Sequence, residues 1–367
     1  MRIYYDHQLC SLQDAGGASR YHYELMRYLS GLPDVETELF LGMNSTVYPF
    51  KALASANVRV TSFGGPLRRG MLRYATNELL GNSIAPFRGK FDVYHPSHHR
   101  IMPLVRARRI VVTHHDCIYE RFPVFRHAKQ VLRAKKVLFA RADAIICISE
   151  SSRRDLLNFY DVDIAKTRVI YHGVPQLPRC PASARALGEK LRREYLLYVS
   201  GRSVYKNFTG LLKAFRESGL YRSFDLLVLG GGPLTPEEVD LIAKLGLAGS
   251  IIGIPVASDG LLAEAYAGAK LFVYPSLWEG FGLPPLEAMA AGCPVLASRS
   301  SSIPEVCRDA PFYFDPADQS SFVCALLRAV NDEEERQQAI QRGRELAAEY
   351  TWEKCGAATL ALYRDCQ

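Results

Sequence analysis

Short apolar runs alternate with stretches of helical periodicity along almost the whole chain, the pattern of parallel-sheet α/β architecture. In the first half, strands are predicted over Arg2–Tyr5, Thr37–Gly42, Val58–Phe63, Phe91–Pro96, Arg109–His115, Ala144–Ser149 and Arg168–Gly173. Apolar positions at helical spacing predict helices over Ala18–Leu32, Phe125–Ala142 and Glu150–Phe159, with Ser149 capping the last. The pattern lapses over Val174–Tyr195, where three prolines and many charges read as an interdomain linker. A second series of strands follows over Tyr195–Gly201, Asp225–Gly232, Ser250–Pro255, Leu271–Ser276 and Pro294–Ser298. Helical patterns lie between these strands, and Asp318 to Gln367 is almost wholly helical in character. The expectation is an α/β chain with two Rossmann-like domains, residues 1–178 and 195–350. Ligands are expected at the carboxyl ends of the strands and in the cleft between the domains.

A length of 367 residues accommodates two such cores. With 48% hydrophobic and 23% charged residues the chain is neither disordered nor membrane-spanning in composition. No run approaches the roughly 20 apolar residues that cross a bilayer. The start, MRIYYDHQ, offers no long apolar segment and no small-residue cleavage site, so no signal peptide is expected. Nine cysteines lie singly with no CxxC pair, which argues against a zinc site or disulfide framework and for a reducing, cytoplasmic setting.

The net charge of +7 is uneven. Met1 to Cys180 holds 26 Lys and Arg against 15 Asp and Glu, whereas the remainder holds 19 against 23. The excess gathers at Arg68, Arg69 and Arg73, at Arg100 to Arg109, and at Arg126 to Arg141, where Lys129, Arg133 and Lys136 share one helical face. Any single cluster reads as a solvated face. Three in one half suggest an anionic membrane surface or acceptor. Nucleic acid is a poorer partner, because no binding motif or interleaved aromatic pattern accompanies the charge.

Several segments at strand ends carry candidate chemistry. GRSVYKN (Gly201–Asn207) places Arg202 and Lys206 after a strand, where a guanidinium fork and an ammonium suit a diphosphate. Two surface cations are the plainer alternative. GGGP (Gly230–Pro233) lets a backbone approach a ligand or makes a tight turn, and it lacks the spacing of a dinucleotide fingerprint. In QDAGGASRY, Gly16 and Gly17 precede a helix whose N-terminus offers N–H groups to an anion, or the pair is a bare turn. THHD (Thr113–Asp116) closes another strand with two histidines, HPSHH (His95–His99) lacks a carboxylate at metal-ligand spacing, and DVD (Asp161–Asp163) reads as a solvated turn. In SLWEGFGLPPLEAMAAG, Glu279 and Glu287 stand eight positions apart across a turn that leads into a helix. Pro284 lies near the start of that helix and Gly292 past its end. Gly280 and Gly282 expose backbone donors there, and the two glutamates are acceptors suited to sugar and ribose hydroxyls. A capped turn with a solvated helix glutamate is the structural alternative.

EGFGLPPLE matches the E-x7-E motif of retaining GT-B glycosyltransferases of family 4. GRSVYKN, HHD, the early GG pair and SSIPEV (Ser301–Val306) fall in that family's order, so nearly the whole chain resembles it. The start, YYDHQLCSLQDAGGASRY, is further similar to bacterial O-antigen and exopolysaccharide mannosyltransferases, many of which use GDP-mannose. The resemblance implies a GT-B fold of two Rossmann-like domains facing a cleft, with the final helix, 352–367, packing back on the first domain. It implies a nucleotide-diphosphate sugar donor, a glycan or polyprenyl-diphosphate-linked acceptor, and no metal or other cofactor. Arg202 and Lys206 would then neutralise the donor diphosphate, Glu279 would bind the transferred sugar and Glu287 the ribose. Phe281, Gly282 and Leu283 would offer backbone N–H groups, Gly17 would approach the diphosphate, and His115 would lie beside the reacting sugar. The chain departs from the family in carrying His114 ahead of His115; His115 is preferred because it abuts Asp116. A nucleotide-sugar 2-epimerase, a sugar phosphorylase and a non-catalytic sugar-nucleotide binder remain open alternatives, and a nicotinamide oxidoreductase is the weakest.

Overall fold

The computed structural model describes residues 1–63, 70–84, 87–99, 105–125, 127–178, 187, 191, 193–255 and 258–366. Arg68, Arg69, Arg100, Arg126 and most of the linker centre lie outside the described residues. The chain divides into two compact units, Met1–Gly173 with Thr351–Gln367, and Val174–Tyr350.

In the first unit β1 (Arg2–Tyr5), β2 (Glu36–Met43), β3 (Val58–Phe63), β4 (Lys90–His95), β5 (Arg106–His114), β6 (Ala144–Cys147) and β7 (Thr167–Val169) form one sheet. Every pairing is parallel and the order is β3-β2-β1-β4-β5-β6-β7. Parallel strands need covering on both faces, so the interior strand β6 (AIIC) is wholly buried and β5 turns from an arginine-rich start to a buried apolar end. Ile3, Tyr5, Leu39, Val93, Val111 and Ile146 face one layer of core, and Tyr4, Phe40, Phe91 and Tyr94 face another. The C-terminal helix Trp352–Asp365 packs on helix Gly17–Ser30 within this unit, and Trp352, Cys355 and Tyr363 enter the same core.

In the second unit β8 (Tyr195–Val199), β9 (Asp225–Leu229), β10 (Ile251–Ile254), β11 (Leu271–Tyr274), β12 (Val295–Ser298) and β13 (Phe312–Phe314) form a parallel sheet ordered β10-β9-β8-β11-β12-β13. Strand order reverses between β8 and β11, as it does between β1 and β4 in the first unit. Ligands of open α/β sheets bind outside the carboxyl ends of strands at such switch points. Both units are Rossmann-like.

The predicted strands recur with shifts of one to three residues at most ends, and Ser149 caps helix Glu150–Phe159 through a reciprocal bond with Ser152. Among the elements that the sequence pattern did not predict, two stand out. The three-residue edge strand β13 is too short to give a periodic signal. Helix Met71–Ile84 buries Arg73, Asn77 and Gly81 while Met71, Leu72 and Leu79 are exposed, an inversion of the ordinary pattern. Arg73, read from sequence as part of a basic surface, is therefore corrected to a fully buried side chain.

Candidate functional site

The two strands flanking the switch point of the second sheet supply adjoining loops. After β8 the chain makes a short 3₁₀ turn, Val204–Lys206, and Asn207 in left-handed conformation (φ 53°) opens helix Phe208–Glu217. After β11 comes the Ser276–Gly282 turn. Leu277 N–H donates to the Tyr205 carbonyl at 2.7 Å, which ties the two loops together. Lys206 Nζ lies 2.6 Å from Glu279 Oε1, and both side chains are largely buried. The ammonium also lies 5.0 Å from the Tyr205 ring centre and 5.7 Å from that of Tyr274. Burial, and then the Glu279 carboxylate, push the Tyr274 phenol well above its ordinary pKa.

A run of serines, of which only Ser301 and Ser302 were singled out in the sequence, holds this turn. Ser298 Oγ donates to Ser276 C=O and Ser300 Oγ to Leu277 C=O. Ser302 Oγ lies 3.0 Å from the carbonyls of both Glu279 and Phe281. Ser301 Oγ accepts the Glu279 N–H at 2.8 Å from a left-handed backbone, φ 52°, a conformation that costs a non-glycine residue about 1 kcal/mol or more. The available signal was SRSSS directly after an apolar strand.

Gly282, at φ 100°, begins helix Leu283–Ala290 without a side-chain cap. Pro284 and Pro285 remove two of the N–H groups that a helix start normally presents. Among the described residues the N–H groups of Gly282 and Leu283 find no protein acceptor, so an anion here meets those two donors. Phe281 packs edge-on to Tyr350, their ring centres 5.9 Å apart. Gly292, at φ 76°, ends the helix: its N–H reaches Met289 C=O and that of Cys293 reaches Ala288 C=O, a Schellman closure. That left-handed backbone favours glycine, and a Cβ there would stand 2.2 Å from Arg344 Nη2 and oblige the arginine to shift. Glu287 is buried on this helix and accepts from Tyr266 Oη at 3.3 Å.

Arg202 turns inward. Its Nε spans both Glu238 oxygens at 2.9 and 3.0 Å, Nη1 donates to Gly230 C=O, and Nη2 reaches the carbonyls of Gly231, Gly232 and Pro233. A guanidinium has five N–H groups, so this count leaves one on Nη1. The three glycines at φ 73–85° let their carbonyls converge on Arg202, and the GGGP segment is thereby a collar for that side chain.

In the first unit Gly16 starts helix Gly17–Ser30, again without a side-chain cap, and Tyr48 Oη donates to the Gly16 carbonyl at 3.2 Å. Buried Arg73 fixes the preceding loop, donating from Nε to Ser11 C=O at 3.1 Å, from Nη1 to Ser45 Oγ, and from Nη2 to Asp14 Oδ1 at 3.1 Å. His114 is fully buried, with Nε2 3.5 Å from Cys117 Sγ. His115, the residue after β5, is half-buried, its ring centre 5.6 Å from that of Tyr21 and 6.0 Å from that of His172. Burial pushes its imidazole down to about 4 against the opposing pull of Asp116, so it is neutral at pH 7. His95 bridges Tyr363 Oη and Thr113 Oγ1, at 2.5 and 2.8 Å. Asp161 and Asp163 are exposed, and Asp163 caps a 3₁₀ turn.

Comparison with known proteins agrees on both halves. Residues 15–176 match the family model "Glycosyltransferase Family 4" and residues 181–346 match "Glycosyl transferases group 1". The chain is 31% identical to O-antigen chain mannosyltransferase B of Escherichia coli over 71% of each chain. It is 28% identical to MMP alpha-(1->4)-mannosyltransferase of Mycolicibacterium hassiacum over 76% of this chain and 72% of that one. Among solved structures, sucrose-phosphate synthase from Thermosynechococcus elongatus superposes with a TM-score of 0.77 at 20% identity, covering 99% of this chain and 98% of that one. HepE from Anabaena, solved with UDP and glucose, gives 0.75 at 17% identity over 98% and 99%.

Proposed function

Because the chain belongs to the family 4 glycosyltransferases, we propose that it is a retaining hexosyltransferase drawing on a nucleotide-diphosphate sugar, best GDP-mannose. The acceptor on this reading is a lipid-linked or growing polysaccharide in surface-polysaccharide or O-antigen assembly, in keeping with the named activity of the E. coli relative.

The observation that carries the reading is the Lys206–Glu279 pair at the switch point of the second sheet. An ammonium has three N–H donors, and Glu279 Oε1 takes one. The others are available to a diphosphate, while Glu279 Oε2 retains capacity for sugar hydroxyls. Gly282 and Leu283 add backbone donors to the phosphates, with Phe281 beside them, and the remaining Nη1 N–H of Arg202 adds a further one. Glu287 receives the ribose hydroxyls. In the first unit, Gly17 at its helix start offers a backbone N–H to phosphate, and neutral His115 offers its ring N–H to a sugar hydroxyl.

In transfer, the bond from the anomeric carbon to the diphosphate breaks and one to the acceptor hydroxyl forms on the same face. The hydroxyl proton passes to the departing phosphate oxygen. Charge growing on that diphosphate is what Lys206 and the backbone donors stabilise, so the reading requires no metal. Contact with an anionic membrane is supported by the exposed Lys129, Arg133 and Lys136 of helix Ala128–Arg141 and by exposed Met71, Leu72 and Leu79, all in the first unit.

A thermal-shift screen with GDP-, UDP-, dTDP- and ADP-sugars, followed by product analysis with acceptor, tests the proposal. Stabilisation by GDP-mannose with an α-linked product supports it. Conversion of the donor to an isomer without acceptor would instead assign an epimerase.

A further inference from the structure

Beside the edge strand β13 the second unit holds a cavity of about 310 Å³, none of whose lining residues belongs to the donor site described above. Four arginines line it, Arg299, Arg308, Arg328 and Arg342, against the carboxylates of Asp309 and Glu335. Two of the four are already neutralised. Arg308 grips Glu349 with nitrogens at 3.0 and 2.7 Å, and Arg328 grips Glu335 at 2.5 and 2.6 Å.

The other two keep their charge. Among the described residues Arg299 and Arg342 form no ion pair. The Arg299 guanidinium lies 4.5 Å over the Tyr313 ring, and Arg342 uses only Nε, on the backbone carbonyl of Asp309 at 3.2 Å. Both terminal nitrogens of each therefore remain as donors. The backbone adds a separate sign. Arg308 sits at φ 48°, ψ −125°, and Tyr313 Oη donates to its carbonyl at 2.6 Å. Strained non-glycine residues of this kind gather at ligand clamps. Arginines also guard edge strands against pairing, but that task needs charge alone, with no concave site and no pair of open forks.

We infer that this cavity is a second anion site, and that its ligand is a sugar phosphomonoester. Arg299 and Arg342 take the phosphate oxygens as forks, a geometry arginine provides and lysine does not. The volume falls at the lower end of small-molecule sites and exceeds what a bare phosphate fills, which leaves room for one hexose.

Isothermal titration of the full chain with mannose 6-phosphate, inorganic phosphate and mannose tests the inference. Mannose 6-phosphate is expected to bind most tightly. Arg299→Ala and Arg342→Ala are expected to weaken it about tenfold each, with thermal unfolding unchanged, and Lys206→Ala is expected to leave it as in the parent. Lost binding in Arg299→Lys with retained thermal stability supports the fork. Absence of binding, equal binding in the double variant, loss in Lys206→Ala, or equal affinity for mannose or for inorganic phosphate overturns it.

Discussion

Lys206 Nζ and Glu279 Oε1 meet at 2.6 Å although 73 positions separate them in the chain. They arrive from the ends of β8 and β11, the neighbouring strands where the order of the second sheet reverses. Removing either partner leaves a buried charge uncompensated, and such losses amount to about 3 kcal/mol. Lys206→Ala and Glu279→Ala are each expected to lower unfolding stability by that order, and the double variant by clearly less than their sum. Urea denaturation of the four proteins measures the coupling. Additive losses would mean that the two groups do not interact in solution.

Arg73 is the pin of the loop that ends in Gly16 and Gly17. Its guanidinium is fully buried, and its three acceptors are Ser11 C=O, Ser45 Oγ and Asp14 Oδ1. Arg73→Met fills the volume but orphans those acceptors, at about 2 kcal/mol. Hydrogen exchange at Ser11–Gly17 is expected to accelerate and the KM for donor to rise more than kcat falls. Unchanged exchange in that segment would show that the loop holds its shape without the arginine.

Burial holds His22 at about 3 and His98 and His115 at about 4, and it also depresses His95, His99, His114 and His172. Their folded pKa values lie below the unfolded value of about 6.5, so the unfolded chain binds more protons as pH falls. The stability these groups confer is complete above about pH 6.5 and drains away as pH falls below it, toward about 4 for His98 and His115 and about 3 for His22. Denaturation midpoints measured from pH 7.5 to 4.5 are expected to fall steadily, and His22→Phe is expected to flatten the slope. A pH-independent midpoint over that range would contradict the burial of these imidazoles.

The basic face of helix Ala128–Arg141 gives a lipid test. Co-sedimentation with vesicles is expected to rise with anionic lipid content, and vesicle affinity to fall about a hundredfold or more in Lys129→Glu/Arg133→Glu/Lys136→Glu, each charge near the surface contributing about 1 kcal/mol. Binding that ignores lipid charge would remove the membrane from the account.

The sheets and the Ser276–Gly282 turn with its helix were legible because their signals are local. Buried parallel strands are continuous apolar runs, and the Glu279–Gly292 segment carries its own punctuation: glycines where the backbone turns, prolines in the first helical turn, and a glycine at the closing position. What escaped depends on partners distant in sequence. Arg202 looked like an open cation, because its collar of Gly230–Pro233 carbonyls and Glu238 lies 28 or more positions away. Arg73 looked like surface, because Met71, Leu72 and Leu79 turn outward on the same helix and no periodicity rule expects a helix to bury its arginine. Ser298 and Ser300 were unremarkable as composition, and Ser301 and Ser302 entered only as part of a motif; all four gain a physical role from the turn they hold.

The central claim is that Lys206 and Glu279 grip a nucleotide-diphosphate sugar for transfer. Rates of hexose transfer from GDP-mannose to a lipid-linked glycan acceptor, compared among the parent, Lys206→Ala and Glu279→Gln with folding verified for each, test it most directly. The account predicts at least a hundredfold loss in both variants, about the effect of removing a preorganised electrostatic contact from a transition state. Parental rates in two folded variants would contradict it.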